Sequence, residues 1–187
     1  MVHNWRVPCG HVPHFALPST GGRDERDVGS PLEAFAGESQ ANRKYLAFAE
    51  KADKEGFPQV ARLFRAAAEA ETVHALAHLR AMGGVHGTRE NLEEAIAGET
   101  HEFRHMYPEM IDIARAEGDK QALRSFEFAN AVEKIHANLY KGLLETMDDH
   151  GEYPYFVCPV CGHTAGKEAP GVCPVCGAKG DLYRRVD

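Results

Sequence analysis

This chain repeats itself, and what repeats is a set of ionisable groups. The segment EAFAGES at 33–39 returns as EAIAGET at 94–100, 61 residues on. The segment ETVHA at 71–75 returns as EKIHA at 133–137, 62 residues on, and a phenylalanine (Phe64, Phe126) stands seven residues before the glutamate each time. Two related halves are therefore expected, each carrying one glutamate on its first segment and a Glu-x-x-His pair on its second.

The segments that hold these groups read as helix. Punctuation falls at Glu55-Gly56-Phe57-Pro58, from Gly83 to Thr88, and at Glu117-Gly118-Asp119. It leaves four helices near 31–55, 58–82, 90–117 and 119–148. Each would span about 36–45 Å at ~1.5 Å per residue, and the short turns favour an antiparallel four-helix bundle. Pro108 is expected to kink the third helix. Residues three, four and seven apart share a helix face. That rule groups Phe35, Glu38 and Tyr45, then Phe64, Glu71, His74 and His78. It also groups Leu92, Ile96, Glu99, Glu102, Met106 and Ile113, then Phe126, Glu133, His136 and Tyr140. These stripes are otherwise apolar, so they should face the core.

Carboxylates there are costly, and several together repel. A metal pair resolves the conflict. Glu38, Glu71, Glu99, Glu102 and Glu133 bring five negative charges against four on two ferrous ions, and His74 and His136 add neutral nitrogens. One glutamate on each of two helices plus Glu-x-x-His on the other two is the known ligand pattern of ferritin-like di-iron bundles. A single Glu-x-x-His would be better read as surface polarity; two in register, each about 33 residues after an AGE, are a site. Gly37 and Gly98 precede a ligand glutamate each time, which suggests close packing near the metals. His78, His101, His105, Glu69, Glu93, Glu94 and Glu127 read as packing or solvated groups.

From Gly151 the composition shifts to Pro, Gly, Cys and short β-like runs. Cys158-Pro-Val-Cys161-Gly and Cys173-Pro-Val-Cys176-Gly give four thiolates, which suit zinc or a single iron. A neighbouring two-metal redox site needs an electron supply, which favours iron. The short linker near 148–153 suggests that a partner subunit brings the two sites together. Residues 1–30, with Cys9, His11 and His14, show no sustained period and read as a poorly ordered extension. The net charge of −7 argues against nucleic-acid binding. No apolar run approaches the ~20 residues of a membrane span and no signal-peptide pattern opens the chain, so a soluble cytoplasmic protein is expected.

The segments AFAGESQANRKY, AEAETVHA, AIAGETHEF with MYPE, VEKIHA and the CPVCG pair resemble rubrerythrins, over about residues 31–187. The resemblance implies a ferritin-like di-iron bundle over 31–150 and a rubredoxin-like domain over 151–187. It implies Glu38, Glu71, His74, Glu99, Glu102, Glu133 and His136 as di-iron ligands, and Cys158, Cys161, Cys173 and Cys176 as ligands of a rubredoxin-type iron. Glu102 has no counterpart in the repeat, where Ala41 stands instead; in the family this extra glutamate takes part in redox-linked ligand exchange with the helix-two histidine. Tyr45 and Tyr107 match tyrosines near the family's site. The implied activity is a peroxidase that reduces hydrogen peroxide to water in oxidative-stress defence, with electrons from NAD(P)H through a reductase or rubredoxin. A homodimer or higher homo-oligomer is expected. Iron oxidation and storage, or electron transfer alone with zinc in the cysteine site, are the rivals.

Overall fold

The computed structural model describes residues 29–148 and 151–187; Cys9, His11 and His14 lie outside them. The chain is mainly helical with a small strand unit at its end, as expected. It divides into two compact units, with the boundary between Gly84 and Val85.

In the first unit α1 (Gly29–Lys54) and α2 (Pro58–Ala81) form a hairpin. Gly56 makes the turn at φ +80°, a conformation that costs glycine nothing. Pro58 opens α2, where its missing N–H would have been unpaired anyway. The buried side chains are alanines, Ala49, Ala52, Ala61, Ala68 and Ala75, with Phe64 packed beside them. Small residues let the two backbones approach. Asn42 exploits this, with Nδ2 donating to the Ala68 carbonyl at 2.7 Å and to Thr72 Oγ1 at 2.9 Å.

In the second unit α3 (Thr88–His101) runs into a π-helical turn (Glu102–Met106) and then α4 (Tyr107–Glu117). This interrupted helix packs on α5 (Lys120–Glu145). Gly118 ends α4 at φ +71°, and the Asp119 carboxylate accepts from the Gln121 and Ala122 amides to start α5. The interruption lies at the π turn rather than at Pro108, which sits in α4's first turn. A π turn holds one extra residue, so the inward face shifts downstream of it. Ile113 is accordingly 51% exposed while Ile111 and Ala114 are buried, a correction to the simple helical stripe. Beyond α5, three short strands, β1 (Tyr155–Val157), β2 (Thr164–Gly166) and β3 (Arg184–Val186), pair antiparallel in the order β2-β1-β3. Among the described residues, no helix is long and apolar enough to cross a membrane.

Candidate metal centres

Each unit gathers three of the expected ligands. On α1–α2, His74 Nδ1 lies 2.9 Å from Glu71 Oε2 and 3.9 Å from Glu38 Oε1. The i,i+3 spacing on α2 sets the first distance; the hairpin brings up Glu38. The His74 side chain is 55% exposed, so this half of the ligand set sits on an open face of the hairpin. Tyr45 packs with Phe48 and Phe64, its ring centroid 6.3 and 6.0 Å from theirs.

On α3 and α5, His136 Nδ1 lies 2.8 Å from Glu133 Oε2 and 3.6 Å from Glu99 Oε1. Burial and the Glu133 charge push the Glu99 carboxyl up to about 7. The same two causes raise Glu102, which opens the π turn. Burial first, then the charges of Glu102, Glu133 and Glu99, raises the Tyr107 phenol, so this hydroxyl stands in the field of the carboxylates. The His136 imidazole is raised by its hydrogen bond to Glu133. Carboxylates that hold on to protons, around an imidazole that gains one, mark a pocket of excess negative charge. A divalent cation relieves it better than protons do.

The other nitrogen of His136 fixes which atom faces that charge. Nε2 lies 3.0 Å from Thr164 Oγ1, and the Thr164 hydroxyl itself donates to the Gly162 carbonyl at 3.1 Å. With its proton committed, Thr164 must accept from Nε2–H. Nδ1 is then left as the lone pair beside Glu133 and Glu99, the arrangement that suits a metal-ligating histidine. The contact is made by the chain's own cysteine loop, so no partner subunit is needed to bring that loop to α5; this differs from the expectation drawn from the short linker.

The four cysteine sulfurs lie within 4.8 Å of one another, with Cys158–Cys176 at 3.7 Å and Cys161–Cys173 at 3.5 Å. A disulfide would need about 2.05 Å, whereas a tetrahedron with ~2.3 Å metal–sulfur bonds has edges of about 3.8 Å. The donor set fits one tetrahedral metal. Gly162 (φ +85°) and Gly177 (φ +75°) follow the second cysteine of each pair. These turns aim the amides of His163 and Ala178 at Cys161 and Cys176. Burial opposes ionisation of Cys173, but the Tyr183 hydroxyl and the Cys176 and Val175 amides bring its thiol down to about 6. Tyr183 also reaches the buried His163, its hydroxyl 2.8 Å from Nδ1.

Residues 32–144 match the rubrerythrin family model, and residues 156–184 match that for the rubrerythrin rubredoxin-like domain. The chain belongs to the rubrerythrin family. It is 35% identical to Rubrerythrin-2 of Clostridium acetobutylicum over 81% of this chain and 91% of the relative. It is 34% identical to nigerythrin of Nitratidesulfovibrio vulgaris over 73% and 76%. A solved structure of nigerythrin in a partially reduced state superposes with a TM-score of 0.54 at 28% identity, covering 90% of this chain and 89% of that one. The cofactors of this rubrerythrin are thus a di-iron carboxylate–histidine site and a four-cysteine, rubredoxin-like site. The donor sets above fit both.

Every ligand expected from the sequence falls into one of three clusters, apart from Glu102, which the shared electrostatics place beside Glu99 and Glu133. Two features went unread. Thr164 was missed, although the two cysteine motifs diverge just after CPVCG, into His163-Thr164 in one and Ala178-Lys179 in the other. The π turn was missed, although the repeat offset grows by one residue between the Glu99 and Glu133 positions. The packing role given to Gly37 and Gly98 is not met: a Cβ at either would meet nothing within 4 Å.

Proposed function

We propose that this rubrerythrin is a peroxidase, reducing hydrogen peroxide to water at the di-iron site with electrons relayed through the rubredoxin-like site. The observation that carries the reading is the contact between His136 Nε2 and Thr164 Oγ1, three residues along the chain from Cys161. An iron-storage protein has no use for a thiolate metal site tied to a ligand histidine. In this reading residues 31–150 are the reaction unit and residues 151–187 the relay. When bound, the irons supply the two electrons that cleave the O–O bond and the rubredoxin-type iron replaces them one at a time.

The chain's own residues do the rest. Glu38, Glu71, Glu99 and Glu133 with His74 and His136 hold the metals, and Thr164 keeps Nδ1 of His136 free for its ligand role. Reduction of peroxide consumes two protons for each two electrons. Glu102, a carboxyl raised by burial and by Glu133, holds a proton where the departing oxygen needs one. Tyr107 stands in the same field and returns a proton to it. Tyr45 closes the α1–α2 side of the site. The electrons come from a pyridine-nucleotide-dependent reductase or a rubredoxin, and the role is defence against peroxide.

The test is stopped-flow absorption of the reduced, iron-loaded protein mixed anaerobically with hydrogen peroxide, and separately with dioxygen. The ferric–thiolate colour should return much faster with peroxide. Equal or faster return with dioxygen would turn the reading into an iron oxidase, and absence of the colour would remove the relay.

A further inference from the structure

We propose that each di-iron site is completed by a second copy of the chain: α1–α2 of one copy closes on α3–α5 of the other, and the reverse, so that a dimer holds two sites. This rests on the di-iron assignment and is independent of whether peroxide is the substrate.

The first argument is that each helix pair is half a site. Glu38, Glu71 and His74 on one unit and Glu99, Glu133 and His136 on the other supply three ligand groups apiece. Two iron ions need both sets. The ligand face of α2 is also apolar and open. Val60 and Leu63 share it with Glu71 and His74 by helical spacing, and they are 45% and 68% exposed. Alanines form the whole of the buried apolar set in α1–α2, so no large side chain there has found its core. An exposed ligand histidine among exposed aliphatics is a face built to be covered.

The second argument is the connection, and it says what covers that face. Ferritin-like bundles have one long crossover, which carries the chain back along the bundle so that helices two and three run in the same direction. Here α2 ends at Ala81 and α3 starts at Thr88, leaving residues 82–87 between them. Glu71 lies about 15 Å before the end of α2 and Glu99 about 17 Å after the start of α3, at ~1.5 Å per residue. Bringing both level in parallel helices needs a crossover of about 32 Å, whereas seven fully extended steps reach at most about 25 Å.

Nor is the connection free to extend. The Gly84 amide donates to the Leu79 carbonyl at 3.0 Å, holding one end to the last turn of α2. At the other end Asn91 holds the His86 amide and carbonyl, both at 2.9 Å, and the Gly87 amide donates to Glu90 at 2.9 Å. A chain tied this way cannot lay its own α3 parallel to its own α2 with the ligands level. A second copy supplies the same α3–α5 face without that restriction.

Complementation between two disabled chains tests this. One carries Glu71→Ala with His74→Ala; the other carries Glu133→Ala with His136→Ala. Each alone spoils every bundle site. In a tandem-purified heterodimer the exchange of halves joins the two intact halves in one site and the two spoiled halves in the other. Such a heterodimer should hold about two bundle irons, near half the wild-type dimer's complement, with its rubredoxin-type iron unchanged. A heterodimer with no bundle iron, or a wild-type chain that is monomeric by native mass spectrometry with its bundle iron full, overturns the proposal. A second variant guards against misfolding. Inserting about 15 Gly/Ser residues after Gly84 allows the crossover to form within one chain, and should give an iron-replete monomer. A variant that stays dimeric at micromolar concentration, with complementation absent, also counts against the exchange.

Discussion

Thr164→Val is the sharpest probe of how the two metal sites are joined. Valine keeps the shape of threonine and suits β2, where residue 164 pairs with Val157 across the sheet. What is lost is the oxygen that accepts from His136 Nε2 at 3.0 Å. The imidazole loses the partner that fixed its tautomer, and its N–H, in a ring 26% exposed, is left poorly solvated. Removing such an outer partner of a metal-bound histidine typically costs about 10–100-fold in metal affinity, or roughly 1.4–2.8 kcal/mol. That exceeds the ~1 kcal/mol net value of an ordinary hydrogen bond, because the ligand's basicity and orientation change as well. The assay is competitive metal titration of the bundle site against a chelator, with the ferric–thiolate spectrum as an internal control. The expected result is a 10–100-fold weaker bundle site beside an unaltered cysteine site. Bundle affinity within twofold of wild type would refute the reasoning that Thr164 sets the ligand histidine; loss of the thiolate spectrum as well would show that the substitution had unfolded the strand unit instead.

Three further outcomes follow from the same geometry. Glu102→Ala should retain bundle iron yet slow peroxide turnover by about 100-fold, the usual scale for losing a positioned acid; wild-type turnover would remove Glu102 from the proton path. Glu99, held at about 7 when metal-free, must shed its proton to bind a cation, so calorimetry in buffers of differing ionisation heat should find more protons released at pH 6 than at pH 8. A carboxyl raised in the folded state stabilises the metal-free protein while protonated and ceases to do so as pH rises from 4.5 through about 7. The metal-free melting temperature should therefore fall across that window, and Glu99→Gln should flatten it. Cys176→Ser should abolish the tetrahedral site and loosen residues 151–187 while the helical circular dichroism persists, because β1 to β3 are only three residues each and depend on the metal for their core.

How much of this could be read from the sequence depends on the range of the interaction that decides each feature. Glu71 and His74, or Glu133 and His136, meet because three residues make almost one helical turn, and that geometry is local. The cysteine tetrahedron is nearly as local: each CPVCG makes its own turn, and a metal needs only the two turns to meet. Tyr107 could be placed on the right helix but not in the field of Glu102 and Glu133, because a field is set by several elements at once. The inward face beyond Glu102 was misread for a different reason. A period of 3.6 was carried through the π turn, which moved Ile113 outward and Ile111 inward. Thr164 was invisible because its meaning lies in His136, 28 residues away across a change of fold. The connection at 82–87 is the instructive case. Its brevity was plain in the sequence and looked chemically mute. It becomes informative only when set against helix lengths and ligand heights, since a short turn is harmless between antiparallel helices and prohibitive between parallel ones. The same six residues that shorten the chain's reach thereby govern whose glutamates and histidines meet at each pair of metals.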